Sequence, residues 1–193
     1  AAGWGHPVTT GMSTIDSYLS SKAMESDDYK KWYSEEVELL SGLGLAIDPP
    51  ISTEQLESLT PYPLPDANIR VLVSQSIFKI LPQHDNWYIS LMKILPEIQL
   101  IFIGGDGVNT GLEFRRRMRQ SFEAAGVSSD GLFFAPRMSA EDFIRLNISC
   151  DIFLDGIGWS GGMTTFEGLQ CGLIPVTVPG EQMRTRHTHG ILN

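Results

Sequence analysis

Between Gly158 and Glu167 the chain reads Gly-Trp-Ser-Gly-Gly-Met-Thr-Thr-Phe-Glu, a glycine-rich turn that runs straight into a helical segment. Glycines let backbone amides approach an anion closely, and a helix start presents unpaired N–H groups with a partial positive charge. Gly161, Gly162 and Met163 would bring such amides, Thr164 and Thr165 add hydroxyl donors, and Glu167 offers an acceptor for ribose hydroxyls. The same residues also make a plain tight turn with a threonine cap, and one turn does not separate the two readings. It is not a Walker loop, since no Gly-Lys-Ser/Thr follows. Lys79 could reach a diphosphate and neutralise charge on a departing nucleotide, or be a solvated surface lysine. Arg186 and His187 fall in a segment, Met183–His189, rich in anion donors. His187 and His189 point to opposite faces of a helix, so the two alone do not make a zinc pair. His6, with Thr9 and Thr10, sits in the loop Trp4-Gly5-His6-Pro7-Val8-Thr9-Thr10-Gly11, where a substrate-facing role competes with a structural one. No Asp-x-Asp pair offers ligands for a metal-clamped diphosphate.

These residues must be carried by regular elements. From Ile69 onward short β-branched and apolar runs alternate with amphipathic stretches: strands at Ile69–Ser74, Gln99–Ile103, Leu132–Ala135, Ile152–Leu154 and Pro175–Val178, and helices at His84–Leu95, Gly111–Ala125, Ala140–Ile148 and Thr164–Gln170, with a last helix starting near Glu181. Ser139 with Asp142 is an N-capping arrangement. Five strands in β-α order predict a Rossmann-like α/β fold, a parallel sheet with helices on both faces, and a ligand at the carboxyl ends of the strands. That rim gathers Gln75, Ser76 and Lys79, then Gly104–Gly107, then Arg137 and Met138, then Asp155–Glu167, then Pro179-Gly180-Glu181. Residues 1–45 form a separate section with an alternating stretch at Ile15–Leu19 and a segment, Glu25–Glu38, that reads as a short helix. Five of the eleven prolines fall within residues 46–68, which marks a linker.

A net charge of −9 argues against a nucleic-acid partner. The cluster Arg115-Arg116-Arg117 with Arg119 reads as a solvated helix face beside Glu113 and Glu123. Apolar runs such as Ile98–Ile103 are too short to cross a bilayer, and the first residues lack the features of a signal peptide. Cys150 and Cys171 read as buried free thiols of a cytoplasmic protein. The start and the end of the sequence both suggest a piece of a longer chain.

The motifs, taken in order, resemble the catalytic region of the O-linked N-acetylglucosamine transferase family, in particular its bacterial SPINDLY-like members associated with tetratricopeptide repeats. The matching pieces are Trp4–Gly11, Tyr33-Ser34-Glu35, Gln75-Ser76-Ile77-Phe78-Lys79, Cys150–Asp155, Trp159–Glu167, and Pro179-Gly180-Glu181 with Arg186-His187. The resemblance implies a two-domain GT-B glycosyltransferase, with residues 1–45 the tail of the first Rossmann-like domain and 69–193 most of the second. It implies a UDP-sugar donor, UDP-GlcNAc among the candidates, transfer to a hydroxyl of a protein or glycan without metal or other cofactor, and scope for a homo-oligomer. Lys79 then corresponds to the diphosphate lysine, Gly161–Thr165 to the phosphate turn, Glu167 to the ribose acid, and Met138 to the main-chain contact with uracil. Gln75 falls beside that lysine, His6 lines the interdomain cleft as a catalytic candidate, and Thr9, Thr10, Arg186 and His187 are candidate acceptor or phosphate contacts. Phe143 stands where animal members carry a histidine over the uracil, and Gly162 or Met163 replaces a histidine in the turn, which leaves the donor sugar open. The alternative is a GT-B module that binds nucleotide without turnover.

Overall fold

A computed structural model describes residues 1–49, 51–104 and 108–193. Pro50 of the proline-rich stretch and Gly105–Gly107 of the rim lie outside the described residues. The chain divides into two units: Ala1–Asp48 with Ile157–Gly162 and Thr177–Asn193, and Pro49–Gly156 with Met163–Val176.

The first unit holds a three-stranded parallel sheet of β1 (Ala2–Gly3), β2 (Ser17–Ser21) and β3 (Glu36–Leu40), in that order. The helix expected over Glu25–Glu38 is not formed. A 3-10 turn at Tyr29–Trp32 is followed by extended Tyr33, and Glu36–Leu40 pairs residue for residue with Ser17–Ser21. Long-range pairing overrides a local charged and aromatic composition that favours helix. Tyr33 is turned inward, its ring 4.5 Å from that of Tyr18 and its hydroxyl donating to Glu25 at 2.6 Å. Tyr18, Met24 and Met183 form the buried centre of this unit.

The second unit begins with α1 (Thr53–Ser58), set by a capping box between Ser52 and Gln55. The segment after it is tied down: the Tyr62 amide donates to the Arg145 carbonyl at 3.1 Å, and the Arg145 guanidinium donates to the Thr60 carbonyl at 2.9 Å. Then follow β4 (Ile69–Val73), α2 (Asp85–Ile94), β5 (Ile98–Ile103), α3 (Val108–Ala124), β6 (Leu132–Ala135), α4 (Ala140–Asn147), β7 (Ile152–Leu154), α5 (Met163–Gln170) and β8 (Ile174–Val176). All pairings are parallel and the order is β6-β5-β4-β7-β8.

Alternation along the two central strands divides the core. Val71, Val73, Leu100 and Phe102 pack with Tyr88, Ile89 and Met92 of α2 and Phe114, Met118 and Phe122 of α3. Leu72 and Ile101 pack with Phe153 and with Leu146 of α4. A period of two on strands buried on both sides requires helices on both faces, and this unit is the expected doubly covered sheet. The chain returns to the first unit and ends, after a 3-10 turn at Met183–Thr185, in α6 (His187–Ile191), so the helix expected from Glu181 is broken. Among the described residues no helix is long and apolar enough to cross a membrane.

Candidate functional site

The strand order reverses between β4 and β7, where ligands of open parallel sheets bind beyond the carboxyl ends of the strands. A cavity of about 430 Å³ opens there in the second unit, lined by Ser74–Phe78 after β4, Ile103 and Gly104 at the end of β5, Thr110 of α3, Arg137 after β6, Phe143 of α4 and Thr164 at the start of α5. The loop after β4 is shaped by a 3-10 turn, Ile77–Lys79, whose flanking apolar residues Ile77 and Ile80 are buried in the core. Gln75 is buried on the cavity wall, whereas Phe78 is 72% exposed. The Lys79 ammonium lies 6.0 Å from the Phe78 ring centre, and partial burial pushes its pKa below the ordinary lysine value.

Met163 and Thr164 open α5, and Thr165 behind them is buried. The helix start carries the positive end of its dipole towards the cavity wall formed by Thr164. Glu167 falls in the second turn of α5, half-buried, and burial pushes its carboxyl pKa up. Met138 packs against the core cluster of Leu72 and Ile101. Among the described residues the cavity lining includes Gln75 and Thr164, but not Lys79, Met138 or Glu167.

The remaining candidates lie in the first unit, whose boundary cuts the glycine-rich turn between Gly162 and Met163. Gly161 is buried and Gly162 half-buried. A Cβ on Gly162 would stand 3.0 Å from the tip of the Trp4 ring, which is itself held by an indole N–H···S contact to Met24 at 2.7 Å and lies 5.0 Å from the His187 ring. Packing of Trp4 is therefore a sufficient reason for a glycine at this position. Ser160 fixes the other flank, its hydroxyl accepting from the Thr188 amide at 2.8 Å.

His6 is exposed, while its backbone is anchored: its amide donates to the Gly3 carbonyl at 2.7 Å and its carbonyl accepts from the buried Tyr18 hydroxyl. Thr9 and Thr10 are engaged by Glu35, the Thr9 hydroxyl and the Thr10 amide each donating at 2.7 Å and the Thr10 hydroxyl donating as well. Burial lifts the Glu35 carboxyl, but those hydrogen bonds outweigh it and hold its pKa at about 2. Arg186 donates to the Gly180 carbonyl at 2.9 Å, and His187 is buried.

Ser74, Phe78 and Thr110 were not picked out from the sequence, although all three line the cavity. Ser74 carries the clearest signal, a polar residue directly after a core strand whose buried hydroxyl has no hydrogen-bond partner among the described residues.

A doubly wound parallel sheet with a polar-rimmed cavity at its switch point defines the nucleotide-binding domain class to which the GT-B glycosyltransferases belong. Structural comparison agrees: the chain aligns with a lysine-to-methionine mutant of the O-GlcNAc transferase of Thermobaculum terrenum at a TM-score of 0.78 and 25% identity, over 96% of this chain and 34% of that one. It is also 24% identical over 190 residues to a probable UDP-N-acetylglucosamine–peptide N-acetylglucosaminyltransferase, SEC, of Arabidopsis thaliana, covering 94% of this chain and 19% of the relative. No family model matches the chain. Over nearly its whole length the chain is similar to O-linked N-acetylglucosamine transferases, and its fold is GT-B. It spans about a fifth of the curated relative and about a third of the solved one.

Proposed function

We propose that this chain is the nucleotide-sugar-binding part of a metal-independent glycosyltransferase, which takes a UDP-sugar, UDP-GlcNAc first among the candidates, and transfers the sugar to a serine or threonine hydroxyl of a protein. The observation that carries the reading is the cavity at the β4/β7 switch point. It combines a buried amide at Gln75, an aromatic face at Phe143, the guanidinium-bearing Arg137 and the α5 start at Thr164. An aromatic face and a few convergent polar groups suit a base and ribose, and a helix start suits phosphate. Lys79, beside this wall, would stabilise the diphosphate as negative charge develops on it, an electrostatic role that needs no covalent step. Glu167 and Met138 would meet the ribose and the base, and Gly161–Thr165 the phosphates. In the first unit, His6 is the candidate catalytic side chain; Thr9, Thr10, Arg186 and His187 are the candidate acceptor or phosphate contacts, with the threonines acting through Glu35. Support for the donor and acceptor classes comes from the name of the Arabidopsis relative. Cys150 and Cys171 are free, as in the cytoplasmic setting we propose.

Calorimetric titration of the chain with UDP and UDP-GlcNAc tests the reading. Lys79→Ala is expected to weaken UDP by about tenfold or more, the worth of a hydrogen bond to a charged group. Absence of UDP binding to the unaltered chain at millimolar ligand would refute the site.

A further inference from the structure

We infer that Arg117, on α3, is a positioning residue for the Lys79 loop, an assignment that rests on the diphosphate role given to Lys79 above. The 3-10 turn that presents Lys79 ends at Ile80, whose side chain is buried and whose carbonyl therefore needs a donor from within the protein. Arg117 supplies it: Nη2 donates to the Ile80 carbonyl at 2.9 Å and to Asp85 Oδ1 at 3.1 Å. The second carboxylate oxygen of Asp85 accepts from the Ser121 hydroxyl at 3.0 Å. The Asp85 side chain is 6% exposed and that of Arg117 28%, so water competes little for either group. The guanidinium also lies 5.2 Å from the ring centre of Phe114, which belongs to the core.

A simple ion pair between α2 and α3 would need only Asp85. The added bond to Ile80 joins that pair to the backbone one residue past Lys79. Asp85 fixes the guanidinium, the guanidinium fixes the carbonyl, and the carbonyl sets where the chain leaves the turn that carries Phe78 and Lys79. A planar fork can hold two acceptors at once in a fixed direction, which a lysine ammonium on a flexible stem does less well. An electrostatic contact to a diphosphate is lost by small displacements of the cation. Breaking the clamp should therefore harm diphosphate binding selectively while leaving the base and ribose subsite in place.

The test compares UDP with uridine on the same 193-residue chain, with thermal melting confirming that each variant is folded at the assay temperature. Arg117→Met is expected to weaken UDP by about tenfold while changing uridine by less than about twofold, the pattern also expected of Lys79→Ala. The double variant should lose no more than Lys79→Ala alone, because both act through one contact. Equal losses for UDP and uridine, or additive losses in the double variant, would overturn the assignment. Should Arg117→Met not fold, Arg117→Lys, which keeps the charge opposite Asp85, is expected to show the same selective loss; its absence would overturn the assignment equally. If Lys79→Ala weakens UDP and neither Arg117 variant does, only the positioning role fails. If Lys79→Ala itself leaves UDP unchanged, the diphosphate reading fails and the Arg117 role falls with it.

Discussion

Gly162→Ala separates two reasons for the glycine-rich turn. Gly162 has no positive φ, so an alanine can adopt its backbone without strain. On that ground the substitution should stabilise by about 0.4–1 kcal/mol, through the lower entropy of the unfolded chain. The added methyl, however, would sit 3.0 Å from one Trp4 ring carbon and 3.5 Å from the next. Trp4 cannot retreat freely, because its indole N–H is bound to Met24 and His187 lies against its face. Overpacking of this kind costs about 1–3 kcal/mol, so the net expectation is a loss of about 1 kcal/mol. In a Trp4→Leu background the clash is gone, and Gly162→Ala should become neutral or slightly stabilising. The assay is urea unfolding of the four chains of this cycle by circular dichroism, with a coupling of about 1–3 kcal/mol between the two sites. Equal costs of Gly162→Ala in both backgrounds would refute the packing argument. Loss of UDP affinity by a fully stable Gly162→Ala chain would instead tie this glycine to close approach of a ligand.

Phe102 is fully buried near the carboxyl end of β5, with the rings of Tyr88, Phe114 and Phe134 at 5.2, 5.5 and 5.7 Å. Phe102→Ala should cost about 3–5 kcal/mol in urea unfolding, and a loss under about 1 kcal/mol would contradict a close-packed centre at this strand. Glu35 titrates lower in the folded chain, at about 2, than the ordinary glutamate value of 4.5. Its contribution is therefore fully present above about 4.5 and is lost as pH falls towards 2. Melting temperatures of the parent chain and Glu35→Gln should converge across that window, and parallel acid limbs would rule the contribution out.

The sheet of the second unit was legible because each of its strands is a short apolar run closed by glycine, proline or a polar pair. Leu132–Ala135 and Ile152–Leu154 were expected with the bounds they have. The Glu25–Glu38 segment was misread because its strand depends on pairing with residues some twenty positions earlier, a partner that local periodicity cannot reveal. The site divides in the same way. Gln75 and Thr164 follow from the rule that ligands meet strand ends, and both line the cavity. Phe78 stands in the matching stretch Gln75–Lys79 but was given no role there, because its direction is set by the 3-10 turn, not by strand alternation. Thr9 and Thr10 read as candidate acceptor or phosphate contacts, and the carboxylate that engages them, about 25 residues along the chain, is a partner that local spacing does not reveal.

The two loops that carry the catalytic candidates are secured in a similar manner. At His6 a buried tyrosine hydroxyl reaches the backbone carbonyl, and the imidazole stays exposed. Next to Lys79 a half-buried guanidinium reaches the carbonyl of Ile80, and the lysine lies at the surface of the turn. In each case the donor is held at the core of its own unit: Tyr18 packs with Met24 and Met183, and the Arg117 guanidinium lies 5.2 Å from the ring centre of Phe114. Anchoring a loop by its carbonyl fixes the backbone at that point whatever the neighbouring side chain does. Thr9 and Thr10 show the contrasting arrangement, in which the side chains themselves are bound to Glu35. Those bonds tie the Thr9 and Thr10 side chains of the His6 loop to a residue of the neighbouring strand segment.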